Sequence, residues 1–510
     1  MNLRIIPQKL AKIIKKDPLF SSLVLLIIAI AIFFRTYNYL DRIYLIADNS
    51  RDVQIATYAK DHLLVPPIGQ FSSAGPFFYG PWYYWFLEAV SLIPFGLLTH
   101  WLAITTIYFL FIYLIYWVGS KIENKWLGLL CAAFAAISPA QINFSTSVWN
   151  PAIIPILTLT TIILLFKFVQ RGKPIYILLL SFVCSLAFTI HFQSILILPT
   201  ILVALFSQKT KLKVFFLNLF LVFLGFLIPL LPLIYFDIKH EWYNAKSLFI
   251  YLAIDQYSIW VPNRWLTYTT SYWPEAWAYI IGGSKLISGV IIFTLGLLTL
   301  SKLKSFSKNR LFLLLAITFA FEVLLYRYYR GPRFIYYSLF AHPYILILTG
   351  YLTFQLIKLN KAAGFFILIA ISIFTLNVAL QDLKDRGVTL KELTSLKNEI
   401  YKNYPSASFD IYGCQFNAET VSHPLALLMY KDGRNSTKGT KIGVCESNND
   451  LTWTEISDKD LDREKPFWYN RTTERVYFDA QEWWRKKQPQ KSDFIKFLKE
   501  KLSPKCYPHC

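Results

Sequence analysis

Several stretches of this chain run long without a single ionisable side chain, among them Leu23 to Phe34, Ile153 to Phe166 and Val214 to Ile234. Crossing the hydrocarbon of a bilayer takes about 20 mostly apolar residues. Water is absent there, so each segment must satisfy its own backbone, which a helix does. A chain with many such stretches is therefore a helical bundle in lipid. Composition agrees, since 55% of the 510 residues are hydrophobic and only 16% are charged, against about 25% charged in soluble domains.

The pattern predicts about eleven spans, near residues 19–34, 101–119, 126–142, 151–168, 174–190, 193–206, 214–235, 285–300, 311–326, 335–357 and 362–380. Orientation turns on the stretch from Tyr83 to Phe95, which is apolar but cut by Glu88 and stopped by Pro94. It is too short to cross and reads as re-entrant or interfacial. With that stretch left out of the count, five basic loops share the side of the basic N-terminus. They hold Lys121 and Lys125; Lys167, Arg171 and Lys173; Lys209, Lys211 and Lys213; Lys302, Lys304, Lys308 and Arg310; and Lys358 and Lys361. This is the cytosolic bias of lysine and arginine, and it accounts for the net charge of +21 with no nucleic-acid partner.

The expected fold class is an all-α polytopic membrane protein with a small extracytoplasmic α/β C-terminal domain. Residues 1–18 form a cytosolic amphipathic segment suited to an anionic leaflet. Residues 19–380 form the membrane domain, with outer loops at 35–100 and 236–284, and residues 381–510 form the tail. In the tail the apolar runs Phe409 to Tyr412 and Ile442 to Val444 read as short strands. Four of the six cysteines lie there, Cys414, Cys445, Cys506 and Cys510, as suits an oxidising compartment. If all four are bridged, three pairings are open; Cys414 with Cys445 is favoured because each ends an apolar run. Cys506 and Cys510, with His509 between, read as thiols or a bridge before they read as a metal site.

Directly after the first span comes Ala47-Asp48-Asn49-Ser50-Arg51-Asp52, two carboxylates beside an arginine. Ionisable residues at membrane level are costly and so are functional candidates, and a carboxylate there suits a general base acting on a hydroxyl. The plainer reading has Asp48 capping a helix from Ser50 to His62, with Arg51 and Asp52 solvated. Further on come the turn Gly80-Pro81-Trp82-Tyr83-Tyr84, which on its own is an interfacial aromatic belt, and Trp149-Asn150-Pro151, where Asn150 suits a helix cap.

In order and approximate spacing these segments resemble the GT-C glycosyltransferases, in the branch of protein O-mannosyltransferases, lipid A aminoarabinose transferases and bacterial relatives similar to dolichyl-phosphate-mannose-protein mannosyltransferases. The resemblance covers residues 20–235 best and the later spans more loosely, and it stops before the tail. It implies a GT-C fold, an extracytoplasmic active site, a polyprenyl-phosphate-linked sugar as donor, and a protein, glycan or lipid acceptor. It further implies inversion at the anomeric carbon, with Asp48 as base and Asp52 as the second carboxylate. The family's Asp-Glu pair reads Asp48-Asn49 here, and Asn150 stands where several relatives carry an acid. Amides are poorer ligands than carboxylates for hard cations, so no cofactor is assigned and a divalent metal stays open.

A departing lipid phosphate calls for cations on the outer side. Lys239, His240, Arg327, Arg330 and Arg333 are the candidates, with Arg333 first for its planar fork and Lys239 second. The plain alternative is that they anchor helix ends. Arg51, Tyr83, Asn150 and His191 complete the expected substrate contacts, although a lone histidine satisfied by nearby backbone is an equal reading of His191. Three other classes compete. A transporter or flippase of lipid-linked sugars would show repeats and a midplane site, whereas these polar candidates cluster outside. A polysaccharide polymerase or ligase would carry its large outer loop late in the chain. A scaffold displaying the tail would leave the ordered first-loop motifs unexplained.

Overall fold

The structure, a computed structural model, describes residues 17–487 apart from Tyr44, Ala74, 209–210, 259–263, 306–307, 330–332, Phe334, 385–386, 415–419, 448–449 and 464–466. The N-terminal amphipathic segment, Arg330, Cys506, His509 and Cys510 lie outside the described residues.

The first span, α1 (Pro18–Thr36), opens on Asp17, whose side chain accepts the Phe20 amide, with proline in the first turn. That pairing of an acceptor cap and an early proline starts a helix without wasting a backbone donor. The loop after this helix then folds into α2 (Ala47–Asp61) and α3 (Trp82–Val90). At nine residues, α3 extends about 14 Å at 1.5 Å per residue, too short to cross a bilayer.

Next come α4 (Thr99–Ile122) and α5 (Lys125–Ile137), joined through Asn124, which caps α5. A Cβ on Gly119 would lie 2.9 Å from the Gly128 Cα, so glycine at both positions lets the two backbones touch, as small residues do in membrane bundles. They are followed by α6 (Ile154–Arg171), α7 (Pro174–Ile190), α8 (Pro199–Phe206) and α9 (Leu212–Lys239). The loop after α9 holds α10 (Tyr243–Ala253) and α11 (Trp273–Ile280). The bundle closes with α12 (Lys285–Leu303), α13 (Arg310–Tyr328), α14 (His342–Leu359) and α15 (Lys361–Gln381).

Among the described residues eight helices are long and apolar enough to cross a membrane, and three shorter apolar helices, Lys125–Ile137, Pro174–Ile190 and Phe192–Phe206, coincide with the remaining expected spans. The expected span at 126–142 is shorter because the chain bends at Ser138 and restarts at Pro139, where the Ser138 hydroxyl accepts the Gln141 amide. Two arginines are wholly buried: Arg35 donates to the carbonyls of Ala135 and Ala136 at 3.1 and 3.0 Å, and Arg42 to those of Phe34 and Tyr37. Each places its charge where a helix ends in unpaired carbonyls, the favourable pole of the dipole for a cation.

Past α15 the chain becomes a different kind of object. Helix α16 (Leu390–Asn403) begins with a Thr389–Glu392 capping box. Strand β1 (Phe409–Cys414), helix α17 (Ser422–Lys431), strands β2 (Thr440–Ser447), β3 (Asp450–Glu455) and β4 (Trp468–Asn470), and helix α18 (Thr473–Lys487) also belong to the tail, with a short helical turn at Asp458–Arg463. The sheet order is β3-β2-β1-β4. Strands β1 and β2 are parallel with Ile411 opposite Ile442, a pairing that needs a crossover, which α17 supplies. Both apolar runs expected as strands are strands, and Cys414 is bridged to Cys445. The tail is not free of the bundle: Val476 and Tyr477 of α18 pack with Ile55, Tyr58 and Ala59 of α2 and with Tyr84.

Candidate active site

Helix α2 carries the first-loop carboxylates. It starts at Ala47, whose φ of 27° is unusual for a residue with a side chain and turns the chain sharply just before Asp48. Because the helix begins here, Asp48 lies in its first turn and does not cap it; Ile46 holds the cap position without a side-chain bond. The capping reading of Asp48 is thereby corrected.

Arg51 stands between the two carboxylates. Its Nη1 meets Asp48 Oδ1 at 2.5 Å, and its Nη2 and Nε meet Asp52 Oδ1 at 2.9 and 3.1 Å. Asp48 keeps 46% of its side chain exposed while Asp52 is wholly buried. Gln70 donates to Asp52 Oδ2 at 2.9 Å, and the Tyr84 hydroxyl lies 3.4 Å from Oδ1. Burial pushes the Asp52 carboxyl up to about 6; Arg51 opposes the shift and Asp48 adds to it. For Arg51 burial works against the charge, yet Asp48 and Asp52 together hold its pKa well above the usual arginine range. The two carboxylates thus differ in kind: Asp48 faces outward and Asp52 anchors the arginine from behind.

Asp48 opens onto a cavity of about 500 Å³, lined also by Asn49, Asn143, Ser147, Trp149, Tyr279 and Tyr336. The Asn143 amide donates to the Tyr279 hydroxyl at 2.8 Å, Ser147 donates to Asn49 at 3.3 Å, and the Trp149 and Tyr336 rings meet edge to face at 4.7 Å. Aromatic faces interleaved with amides and hydroxyls offer a polar, ring-shaped ligand both stacking surfaces and hydrogen bonds.

A second cavity, of about 690 Å³, lies between α8, α9, α10 and α13 and is walled by Leu196, Pro199, Leu202, Phe226, Leu248 and Leu325 with Tyr326, Tyr329 and Tyr337. Tyr336 lines the first cavity and Tyr337 the second, with their rings 4.6 Å apart. Arg333 lies over the rings of Tyr268 and Tyr326, at 5.0 and 5.8 Å, and donates to the carbonyls of Tyr329 and Arg327. Arg327 lies over Trp265 at 4.4 Å. The Nε of each arginine is buried with no hydrogen-bond partner among the described residues. Buried donors are seldom left so; neither arginine lines a cavity, and Arg333 borders the second one through the Tyr326 ring.

The other expected contacts fall elsewhere. Tyr83 is fully buried in the bundle core, and its neighbour Tyr84 is the tyrosine that reaches Asp52. Asn150 is the first residue of a 3-10 turn, after a cap at Trp149, and spends its amide on the Ile190 carbonyl at 2.8 Å. His191 lines neither cavity; it is buried, stacked on Tyr79 at 5.3 Å and tilted against Tyr337. Lys239 is exposed over the Tyr235 ring at 4.3 Å, and His240 stacks on Phe236, with Nδ1 at 2.7 Å from that residue's carbonyl. Both end α9 as interfacial side chains and line neither cavity. Gln70, Asn143, Tyr279 and Tyr336 are residues that sequence reasoning missed; they come from four separate segments and no local pattern marks them. A divalent metal finds poor ligands here, because Arg51 already engages both carboxylates, and the described residues hold no group of three His, Cys, Asp or Glu side chains suited to one.

The fold is similar to that of GT-C membrane proteins. No known family pattern and no curated protein matches the sequence. Solved structures do share the fold. ArnT from Cupriavidus metallidurans in the apo state is 12% identical with a TM-score of 0.55, covering 83% of this chain and 93% of that one. The same protein bound to undecaprenyl phosphate is 14% identical with a TM-score of 0.52, over the same shares. The archaeal oligosaccharyltransferase AglB from Archaeoglobus fulgidus, in complex with an inhibitory peptide and a dolichol-phosphate, is 11% identical with a TM-score of 0.50, covering 92% of this chain and 78% of that one.

Proposed function

We propose that this protein is a membrane glycosyltransferase that moves a sugar from a polyprenyl-phosphate carrier to an acceptor on the outer side of the membrane. The observation that carries the reading is Asp48: a half-exposed carboxylate, steadied by Arg51, at the wall of an aromatic and amide cavity that adjoins an apolar one through Tyr336 and Tyr337. Solved structures of the same fold hold undecaprenyl phosphate and dolichol-phosphate, which supports a carrier of that class.

In this reading the carrier's hydrocarbon occupies the second cavity, and its phosphate meets Arg333 and Arg327. The sugar occupies the first cavity. The acceptor oxygen attacks the anomeric carbon from the face opposite the phosphate, and its proton passes to the Asp48 carboxylate. The bond from anomeric carbon to phosphate oxygen breaks, the electron pair leaves with the polyprenyl phosphate, and configuration inverts. Asp52 holds Arg51 and does not touch substrate. Protein, glycan and lipid acceptors all present the hydroxyl or amine this chemistry requires. The rival transport reading looks for polar groups inside the bundle, where Glu322 is buried with Tyr344 and Thr200, but Glu322 lines neither cavity.

The test is transfer of label from a panel of radiolabelled polyprenyl-phosphate sugars in membranes containing the protein, with the stereochemistry of the product determined. Label entering an acceptor with inverted configuration supports the reading; retention, or label crossing the bilayer without bond cleavage, overturns it. Cysteines engineered into the tail should react with a membrane-impermeant reagent in intact cells, and their protection would reverse the assigned sidedness.

A further inference from the structure

Among the contacts between the tail domain and the helix that carries Asp48 is one fully buried polar side chain. Gln54 lies on α2 two residues past Asp52 and is fully buried. Its amide nitrogen donates to the Arg471 carbonyl at 3.2 Å and to Thr473 Oγ1 at 3.1 Å, and its oxygen pairs with His423 Nδ1 at 2.8 Å. All three partners belong to the tail. Both amide hydrogens and the amide oxygen are thereby used, which fixes the orientation of the Gln54 amide and requires His423 to carry its proton on Nδ1. Burial first, and then the nearby charges of Arg471 and Arg51, push His423 well below the usual histidine range, so the ring stays a neutral donor. Around this polar knot the contact is apolar, with the Tyr58 and Tyr477 rings 5.1 Å apart.

A helix held only by apolar contacts can slide or turn with little loss, because such contacts are non-directional. A buried amide with directional partners on a second domain cannot turn without stranding several donors and acceptors. Asp48, Arg51 and Asp52 share the N-terminal end of that same helix, so its rotation sets whether Asp48 meets the cavity.

We propose that Gln54 and His423 are positioning residues, through which the tail domain locks α2 in the rotation that presents Asp48 to its cavity. This rests on the glycosyl-transfer reading for its kinetic consequence, though not for its structural one. The tail is on this account a working part of the active site.

The experiment uses the full-length protein. In His423→Ala, kcat should fall about 10- to 100-fold, the scale on which misplaced catalytic groups act, with the donor KM unchanged. His423→Asn, whose amide nitrogen falls near the place of Nδ1, should recover most of the rate; His423→Gln, whose amide extends toward the place of Nε2, should not. A merely structural role would lower the melting temperature without a fall in kcat for the folded protein, so kcat is read beside the melting temperature in each variant. Thr473→Val, close to isosteric and on the tail side, removes one partner of Gln54 and should lower kcat by a smaller factor; it carries the test if His423→Ala fails to fold. Hydrogen exchange over residues 47–61 should quicken in His423→Ala and return to the wild-type rate in His423→Asn, a readout that needs no donor. Wild-type kcat in both His423→Ala and Thr473→Val, or unchanged exchange in a folded His423→Ala, overturns the lock. Failure of the wild-type protein to use any donor overturns the glycosyl-transfer reading instead, and the exchange result then decides the lock alone.

Discussion

The two cavities adjoin at Tyr336 and Tyr337 yet are built from opposite materials. The one at Asp48 is walled by an acid, two asparagines, a serine and aromatic rings, drawn from the first outer loop, the end of the third span and two later segments. The other is mostly leucine, phenylalanine and tyrosine, with its nearby cations on arginines that lean on aromatic rings. A ligand that satisfies both must be polar and ring-shaped at one end and hydrocarbon at the other. On the proposed glycosyl-transfer reading, the difference divides recognition from chemistry: the apolar cavity takes the part that any carrier of this class shares, and the polar one the part that reacts.

The sharpest way to break that division is to neutralise Asp48. Because a positioned general base contributes about 100- to 10,000-fold in rate, Asp48→Asn should lower transfer by that factor with donor binding retained, as measured by label transfer beside carrier-competition binding in the same membranes. A rate close to wild type would take the base role from Asp48.

Arg333→Ala should show the complementary defect. Losing a charge-assisted contact to phosphate costs about 1.5–3 kcal/mol, or roughly a 10- to 100-fold rise in donor KM, with kcat at saturating donor little changed. Arg333→Lys should lie between, since it keeps the charge without the fork. Steady-state kinetics over donor concentration separates the cases, and an unchanged KM removes Arg333 from the carrier site.

A smaller effect is expected at the wall between the cavities. Removing the Tyr336 ring deletes an aromatic contact worth about 1 kcal/mol, so Tyr336→Ala should cost roughly fivefold in kcat/KM, and Tyr336→Phe should cost little. Equal losses in both would point to the hydroxyl and not the ring face.

The least effect concerns Asp52, and here pH is the probe. Its folded pKa of about 6 lies above the ordinary aspartate value of 3.8, so the folded state holds the proton more tightly than the unfolded chain. The stability this contributes is complete below about pH 4 and is lost as pH rises through about 6. Between those limits the melting temperature of the wild-type protein should fall relative to that of Asp52→Asn. A constant difference across the window would mean that Asp52 is ionised throughout and that Arg51 outweighs its burial.

Much of this molecule is legible along the chain because local chemistry decides it. Uncharged runs become helices wherever water is missing, so the eight long apolar helices among the described residues, and the shortness of the helix after Gly80, can be read directly. Asp17, Asn124 and the Thr389–Glu392 pair cap the helices that begin beside them through contacts within three residues. The Cys414–Cys445 bridge is accessible because two apolar runs ending in cysteine imply neighbouring strands. Asp48, Arg51 and Asp52 stand out as two carboxylates beside an arginine in the loop after the first span.

Other features came only with the tertiary structure. Neither Tyr279 nor Tyr336 carries a sign that it will face Asp48, and His423 lies hundreds of residues from Gln54. Lys239 and Arg333 look alike in sequence, as outer-side cations among aromatic residues, yet one ends on the interface and the other beside a cavity. The reason is physical: hydropathy and capping are decided by neighbours along the chain, whereas a cavity is the space left when distant helices pack. Which side chains line that space depends on helix rotations, and in α2 the buried Gln54 amide finds its partners in a domain more than three hundred residues further along the chain.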